Sequence, residues 1–86
     1  MQELILMFED IIKMLDQISK DRTVPRNIRT RCEESVKILQ NDKEEVAIRI
    51  NTVISMLDEV SNDPNIPMYT RTQVWNIVSM LESEQK

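Results

Sequence analysis

Residues 12–39 read IKMLDQISKDRTVPRNIRTRCEESVKIL, and residues 54–81 read ISMLDEVSNDPNIPMYTRTQVWNIVSML. The second stretch begins 42 residues after the first, and eleven positions carry the same residue in both. The matches run from Ile12 and Ile54 at one end to Leu39 and Leu81 at the other. Internal repetition of this kind sets the architecture before any local pattern does, although it does not set the chemistry.

Each copy divides again into two equal steps, and each step is three heptads long. Within each step the stripe positions alternate at spacings of four and three, as on a helix that buries one face. No segment shows the period of two that a strand requires. Of the twenty stripe positions sixteen are apolar, two are proline and two are arginine. The four stripes are Leu4, Phe8, Ile11, Leu15 and Ile18; Pro25, Arg29, Cys32, Val36 and Leu39; Val46, Ile50, Val53, Leu57 and Val60; and Pro67, Arg71, Val74, Val78 and Leu81.

The predicted helix ends repeat with the same step. Lys20, Asn41 and Asn62 follow one another at the three-heptad interval, and asparagine is the best substitute for glycine in a left-handed C-terminal cap. Asp42 followed by Glu45 predicts a capping box that opens the third helix after a short connection.

The first and third connections are predicted to be longer, and each carries a proline. Pro25 and Pro67 fall at the start of the following helix, where a missing N–H and a fixed φ cost least. Four helices joined by short loops predict an all-α, up-down-up-down four-helix bundle built from two pseudo-repeated hairpins. We expect one domain over residues 1–86, with hairpins over about 2–41 and about 42–84.

A pair of HEAT-like helix pairs is the alternative architecture, because its period of about 40 to 47 residues also accommodates 42. The strict heptad step favours the bundle, since it lets all four stripes face one axis. Two repeats are also fewer than a solenoid normally needs.

Composition excludes several kinds of site. Histidine is absent, which removes the commonest general base and the commonest transition-metal ligand. Glycine is absent, which excludes every Gly-rich phosphate-binding loop. The single cysteine, Cys32, lies on a stripe and is expected to be an inert core residue. We therefore expect no cofactor, no metal and no enzymatic activity.

Charge and length bear on location. With 11 basic and 15 acidic residues the net charge is −4, which argues weakly against a nucleic-acid or membrane coat acting through bulk charge. No basic segment precedes the apolar run at residues 4–8, and that run is far shorter than the roughly 20 residues needed to cross a bilayer. We expect a cytoplasmic protein with no membrane association.

One end of the predicted bundle is the candidate site. In an up-down bundle the first and third connections share a pole, so Asp21 and Arg29 should converge with Asp63 and Arg71. A buried guanidinium needs a partner, and we expect the two aspartates to accept hydrogen bonds from the two arginines. The alternative is that the arginines hold an anion against two helix N-termini.

A basic patch accompanies this pole in the first copy only. Residues 20–31 carry a local charge of +4 through Lys20, Arg22, Arg26, Arg29 and Arg31 against Asp21, whereas the second copy keeps little of this charge. Such a patch is usually a solvated face, and the alternative is contact with RNA, DNA or an acidic partner. The patch has no aromatic residue beside it in sequence for base stacking.

Surplus apolar residues on the first helix predict self-association. A face that includes Ile5, Ile12 and Met14 is expected to form a homodimer, since exposed apolar patches usually mark an interface. Trp75, which corresponds to Glu33 in the first copy, is expected to close the flank of the bundle. The alternative for Trp75 is that it anchors a partner.

The segment DEVSNDPNIPMYTRTQVWNIVSMLE, residues 58–82, resembles the small archaeal proteins of uncharacterised protein family 0147. The earlier VPRNIRTRCEES fits the first hairpin of the same family, and the likeness covers nearly the whole chain. The resemblance implies a helical bundle from an archaeal cytoplasm, and it implies no activity and no catalytic residues. Tyr69 is assigned no role.

Two functions follow from these observations. The first is a non-enzymatic helical interaction module that self-associates and offers a surface to a protein partner. The alternative is an anion or nucleic-acid binder that uses the basic residues near the first connection.

Overall fold

The computed structural model describes residues 2–85, with side chains from Phe8 onward. Four α-helices and no strand occur in this part of the chain, which confirms the predicted all-α class. The first three helices end at equal intervals of three heptads, as predicted. The helices are α1 (Gln2–Ser19), α2 (Arg26–Gln40), α3 (Val46–Ser61) and α4 (Met68–Glu84).

The helices form a closed ring. Each helix packs against the next one in the chain, and α4 returns to pack against α1, whereas the described parts of helices on opposite corners make no close backbone contact. Connections of five or six residues force consecutive helices to run antiparallel. This arrangement is an up-down-up-down four-helix bundle, which confirms the prediction over HEAT-like pairs. The bundle measures 36 × 21 × 17 Å.

The core follows the 42-residue repeat. In α1 and α3 the fully buried positions are those of the predicted stripes, such as Leu15 and Leu57. The two connections that carry prolines each add one apolar residue, Val24 in the first copy and Ile66 in the second, and both are buried. The two copies therefore contribute equivalent residues to one shared core.

The predicted stripes of α2 and α4 are each wrong at two positions, where the buried residue is the one immediately before the predicted residue. The buried residues of α2 include Ile28 and Ser35 where the prediction had Arg29 and Val36. In α4 the shift is the same: Thr70 and Ile77 are buried in place of Arg71 and Val78, and Pro25 and Pro67 are only half-buried. Turning these helices by one residue keeps guanidiniums out of the core, where their desolvation would be costly.

The helix ends also differ from the prediction. No described residue has positive φ, so Lys20, Asn41 and Asn62 form no left-handed cap. Asp42 and Glu45 form no capping box, because α3 begins after Glu45 and its N-cap has no side-chain hydrogen bond. The last three helices instead each follow an extended residue, which is Pro25 for α2, Glu45 for α3 and Pro67 for α4.

The three connections turn by one shared device. A side-chain oxygen of the first or second connecting residue accepts a hydrogen bond from the backbone N–H two residues later. Such Asx turns reverse the chain without glycine, in agreement with the composition. The three pairs are Asp21 with Thr23 (2.9 Å), Asn41 with Lys43 (3.2 Å) and Asp63 with Asn65 (2.8 Å).

Candidate functional sites

The first and third connections lie at the same end of the bundle, which we call the connection pole: residues 20–25 and 62–67 with the first turns of α2 and α4. A direct contact joins them. Tyr69, in the first turn of α4, donates a hydrogen bond from its hydroxyl to the carboxylate of Asp21 in the first connection. The two residues are 48 positions apart in sequence. The second hairpin thus places an aromatic side chain against the basic connection of the first.

Asp21 accepts hydrogen bonds from both hairpins at this contact. Its Oδ1 accepts hydrogen bonds from the backbone N–H of Thr23 and from the Thr23 hydroxyl, while Oδ2 accepts from Tyr69. The bonds from Thr23, the bond from Tyr69 and the nearby charge of Arg29 lower the pKa of Asp21 below its ordinary value of 3.8. Asp21 therefore stays ionised at every pH near neutrality and holds the Tyr69 ring in place.

Arg71 is held by backbone rather than by carboxylates. Its Nε donates to the carbonyl of Ser61 (3.0 Å) and its Nη2 donates to the carbonyl of Asp63 (2.9 Å). The predicted bond to the Asp63 carboxylate is wrong, because this guanidinium satisfies the free carbonyls at the end of α3. A cation at the C-terminus of a helix also interacts favourably with the helix dipole.

Arg49 makes the same kind of contact one connection earlier. Its Nη1 donates to the carbonyl of Leu39 (3.0 Å) near the end of α2, and its Nε donates to the carbonyl of Glu44 (2.9 Å). Arg49 and Arg71 are each the fourth residue of their helix, and each reaches back ten residues. We call these two residues the arginine clamps. An arginine at the fourth position of a helix is not by itself the sequence signal for them, because Arg29 holds that position in α2.

Arg29 holds the corresponding place in α2 but is not a clamp. Its Nε is buried and has no hydrogen-bond partner among the described residues. The ion pairs of the described side chains do not include Arg29, so the predicted direct bond from Arg29 to Asp21 is also wrong. Arg29 acts on Asp21 only through its charge. Arg29 and Arg71 occupy equivalent positions in the two copies, but within the described part of the chain only Arg71 donates hydrogen bonds to backbone carbonyls of the preceding connection and helix.

The predicted basic patch is partly neutralised. Lys20 pairs with Asp16 at 2.8 Å, and Arg31 pairs with Glu59 of α3 at 3.4 Å. Arg22 and Arg26 are exposed, and neither appears among the ion pairs of the described side chains. Two exposed arginines therefore remain at the connection pole, beside the segment that Tyr69 contacts.

A second feature is the outer stripe of α4, formed by Met68, Thr72, Trp75 and Ser79. These residues follow the helical spacing of four, three and four, and all are exposed. Met68 is 66% and Trp75 is 53% exposed, so Trp75 does not close the flank as predicted. The corresponding stripe of α2 is Arg26, Thr30, Glu33 and Lys37.

The contrast extends over the two hairpins. Nine of the thirteen exposed helical residues in the described part of α1 and α2 are charged, against three of fifteen in α3 and α4. Large exposed apolar side chains of the described region all lie in the second hairpin, where Ile48 and Tyr69 join Met68 and Trp75. The helical surface of the second hairpin therefore carries few charges and is partly apolar.

The face predicted for self-association lies partly against the core of the bundle. Ile12 and Met14 are half-buried and pack against the core, while the side chain of Ile5 lies outside the described residues. Cys32 is fully buried, and this burial raises the pKa of its thiol to about 12. Such a thiol is protonated at neutral pH and is a core residue, as predicted.

The described residues offer little for other chemistry. No group of three acidic or cysteine side chains among them is arranged to hold a metal ion. An open groove of about 590 Å³ between the start of α3 and the end of α4 has a mixed lining, and Gln85 donates to Asn51 beside it. No described helix is long and apolar enough to span a membrane.

The fold and the sites define a class of protein. It is a small all-α bundle made of two copies of one hairpin, and the copies share a core but differ in their surfaces. The chain belongs to the Uncharacterised protein family UPF0147, whose family model matches residues 1–83. The resemblance seen around the NDPNIP loop is thereby confirmed. No curated protein sequence matches this chain significantly.

Two solved structures are similar over nearly the full chain. A UPF0147 protein from Thermoplasma acidophilum is 38% identical with a TM-score of 0.88, covering 96% of this chain and 98% of that one. A Methanococcus protein described as of unknown function is 45% identical with a TM-score of 0.85, covering 90% and 88%. These relatives are archaeal, and their descriptions state no activity.

Proposed function

We propose that this protein is a non-enzymatic interaction module of the cytoplasm that self-associates through the outer stripe of α4. The observation that carries the proposal is Trp75, a tryptophan that is half-exposed where the first copy has Glu33. Tryptophan is among the residues most enriched at the energetic centre of interfaces. The interface is assigned to α4 rather than to α1, because Ile12 and Met14 are packed against the core.

The absence of charge on the outer stripe of α4 permits a second copy of the chain as the occupant. Molecules with a net charge of −4 repel one another on average. The outer stripe of α4 contains no charged residue, so two copies can meet there without placing like charges in contact. The charged stripe of α2 offers no such surface.

The available area is small. A stable interface buries about 800 Å² on each partner, which is as large as the whole broad side of this bundle at 36 × 21 Å, so a stripe along α4 predicts a weak dimer. A twofold contact uses the same patch on both copies, so a single stripe serves both sides. Met68 and Trp75 would then be buried between two uncharged stripes.

Analytical ultracentrifugation of the wild type and of the double variant Met68→Arg, Trp75→Glu tests the proposal. This variant gives α4 the residues that α2 carries at Arg26 and Glu33, so the fold itself tolerates them. We expect the wild-type mass to rise from 10.2 kDa towards twice that value between micromolar and millimolar concentration. The double variant should remain monomeric.

A matched control changes two charges on the other hairpin, Glu33→Gln with Lys37→Gln. Both residues are exposed on α2, and association should be unaffected. Circular dichroism should show equal helix content in all three proteins. A wild type that stays monomeric at millimolar concentration would refute self-association through this stripe.

A further inference from the structure

We propose that the connection pole is a binding site for single-stranded nucleic acid, with Arg22 and Arg26 on the phosphates and Tyr69 stacked on a base. The proposal goes beyond self-association, because it uses none of the residues in the outer stripe of α4. The two hairpins contribute jointly to the site: the first supplies the charge and the second supplies the aromatic ring.

The arginines are available for phosphates. Arg22 lies in the first connection and Arg26 opens α2, and both are exposed. Their neighbours Lys20 and Arg31 are already paired with Asp16 and Glu59. Two exposed arginines can contact only a few backbone phosphates, which suits a short single strand better than a long duplex footprint.

The α2 terminus adds to the positive potential. Its N-cap, Pro25, makes no side-chain cap, and no acidic residue lies in its first turn. The N–H groups of Arg26 and the next residue therefore carry the positive end of the helix dipole without local compensation. Arg29 contributes a further charge, because its guanidinium makes no ion pair in the described part of the chain.

Tyr69 supplies what the basic patch lacks in sequence. Tyr69 is 52% exposed, and its hydroxyl is hydrogen-bonded to Asp21, one residue before Arg22. A base stacks on an aromatic face without regard to its identity, so sequence-tolerant binding of single strands is expected. The Asp21 carboxylate, which would repel phosphate, accepts three hydrogen bonds from Thr23 and Tyr69 and faces the Arg29 charge.

Fluorescence polarisation with labelled oligouridine and oligothymidine tests the site on the whole chain. Contact with two phosphates predicts that the logarithm of affinity falls with the logarithm of salt concentration at a slope of about −1.4. The double variant Arg22→Glu, Arg26→Glu should bind at least about tenfold more weakly. Its matched control, Lys37→Glu with Lys43→Glu, has the same net charge and should bind like the wild type.

Tyrosine variants separate stacking from simple charge. Tyr69→Ala should lose about tenfold in affinity, whereas Tyr69→Phe keeps the ring and should stay within about threefold of the wild type. Absence of binding at low salt would overturn the proposal. Equal losses in both charge-reversal variants, or competition by polyglutamate as strong as that by unlabelled RNA, would also overturn it, because either result means non-specific polyanion attraction.

Discussion

The two hairpins of this bundle share an interior and differ in their surfaces. Leu15 and Leu57 are equally buried, as are Leu39 and Leu81, although the pairs come from different copies. At the surface, Glu33 of the first copy faces solvent where the second copy exposes Trp75. Duplication thus conserved the positions that close packing dictates and left the exposed positions free to acquire different interactions.

The largest expected effects test the shared interior. Leu15→Ala and Leu57→Ala should each lower the free energy of unfolding by about 2 to 5 kcal/mol, because both side chains are fully buried. Equivalent sites should differ by less than about 1 kcal/mol in denaturant titrations, where two-state behaviour makes the values comparable. A much larger difference would show that the two halves of the core are not equivalent.

The next effect separates the arginines. Arg71→Met removes two hydrogen bonds from a charged group to carbonyls and should destabilise by about 1.5 to 3 kcal/mol. Arg29→Met removes a guanidinium whose Nε is buried without a partner among the described residues, so it should cost less than about 0.5 kcal/mol or stabilise the protein. Thermal and chemical unfolding of both variants would measure the two changes in the free energy of unfolding. Equal losses would contradict the difference between clamp and non-clamp.

A smaller effect concerns Thr70, the counterpart of Ile28. Thr70 is fully buried, and its hydroxyl has no partner within the described region. Thr70→Val removes the unsatisfied hydroxyl and should raise the free energy of unfolding by about 1 kcal/mol. The control is Thr72→Val, because Thr72 is exposed and its hydroxyl donates to the Met68 carbonyl at 3.2 Å. Destabilisation by Thr70→Val would mean that the hydroxyl is satisfied in solution.

The smallest effect is a pH dependence at the connection pole. The folded-state pKa of Asp21 is lowered below 3.8, so its contribution to stability is present above that value and is lost as the pH falls through the lowered pKa. Asp21→Asn should therefore flatten the decline of the unfolding free energy between about pH 5 and about pH 2. The double variant Thr23→Ala, Tyr69→Phe removes the side-chain hydrogen bonds to this carboxylate and should flatten the decline in the same direction. The same slope in all three proteins would contradict the role of Asp21.

Much of this fold follows from spacing alone. The 42-residue repeat and the three-heptad spacing of helix ends are visible in the sequence, because helices of similar length must recur to close a bundle. The predicted buried faces of α2 and α4 are wrong because the heptad spacing of one helix does not continue unchanged through the connections, which differ in length. The signal that corrects it is Val24 and Ile66, an apolar residue before each proline.

The candidate sites are harder to predict. The contact between Tyr69 and Asp21 joins residues 48 positions apart, and no local pattern marks it. The exposure of Trp75 depends on the rotation of α4, which the heptad template places one residue away from the observed stripe. The arginine clamps require knowledge of where each preceding helix stops, because their partners are backbone carbonyls.

The most direct test of the contrast between hairpins is the fluorescence of Trp75, the only tryptophan in the chain. Its emission and its quenching by acrylamide report the exposure of the outer stripe of α4. If two copies bury this stripe, the emission should shift to shorter wavelength and quenching should fall as concentration rises. An emission maximum and a quenching constant that stay unchanged from micromolar to millimolar protein would contradict the proposed interface.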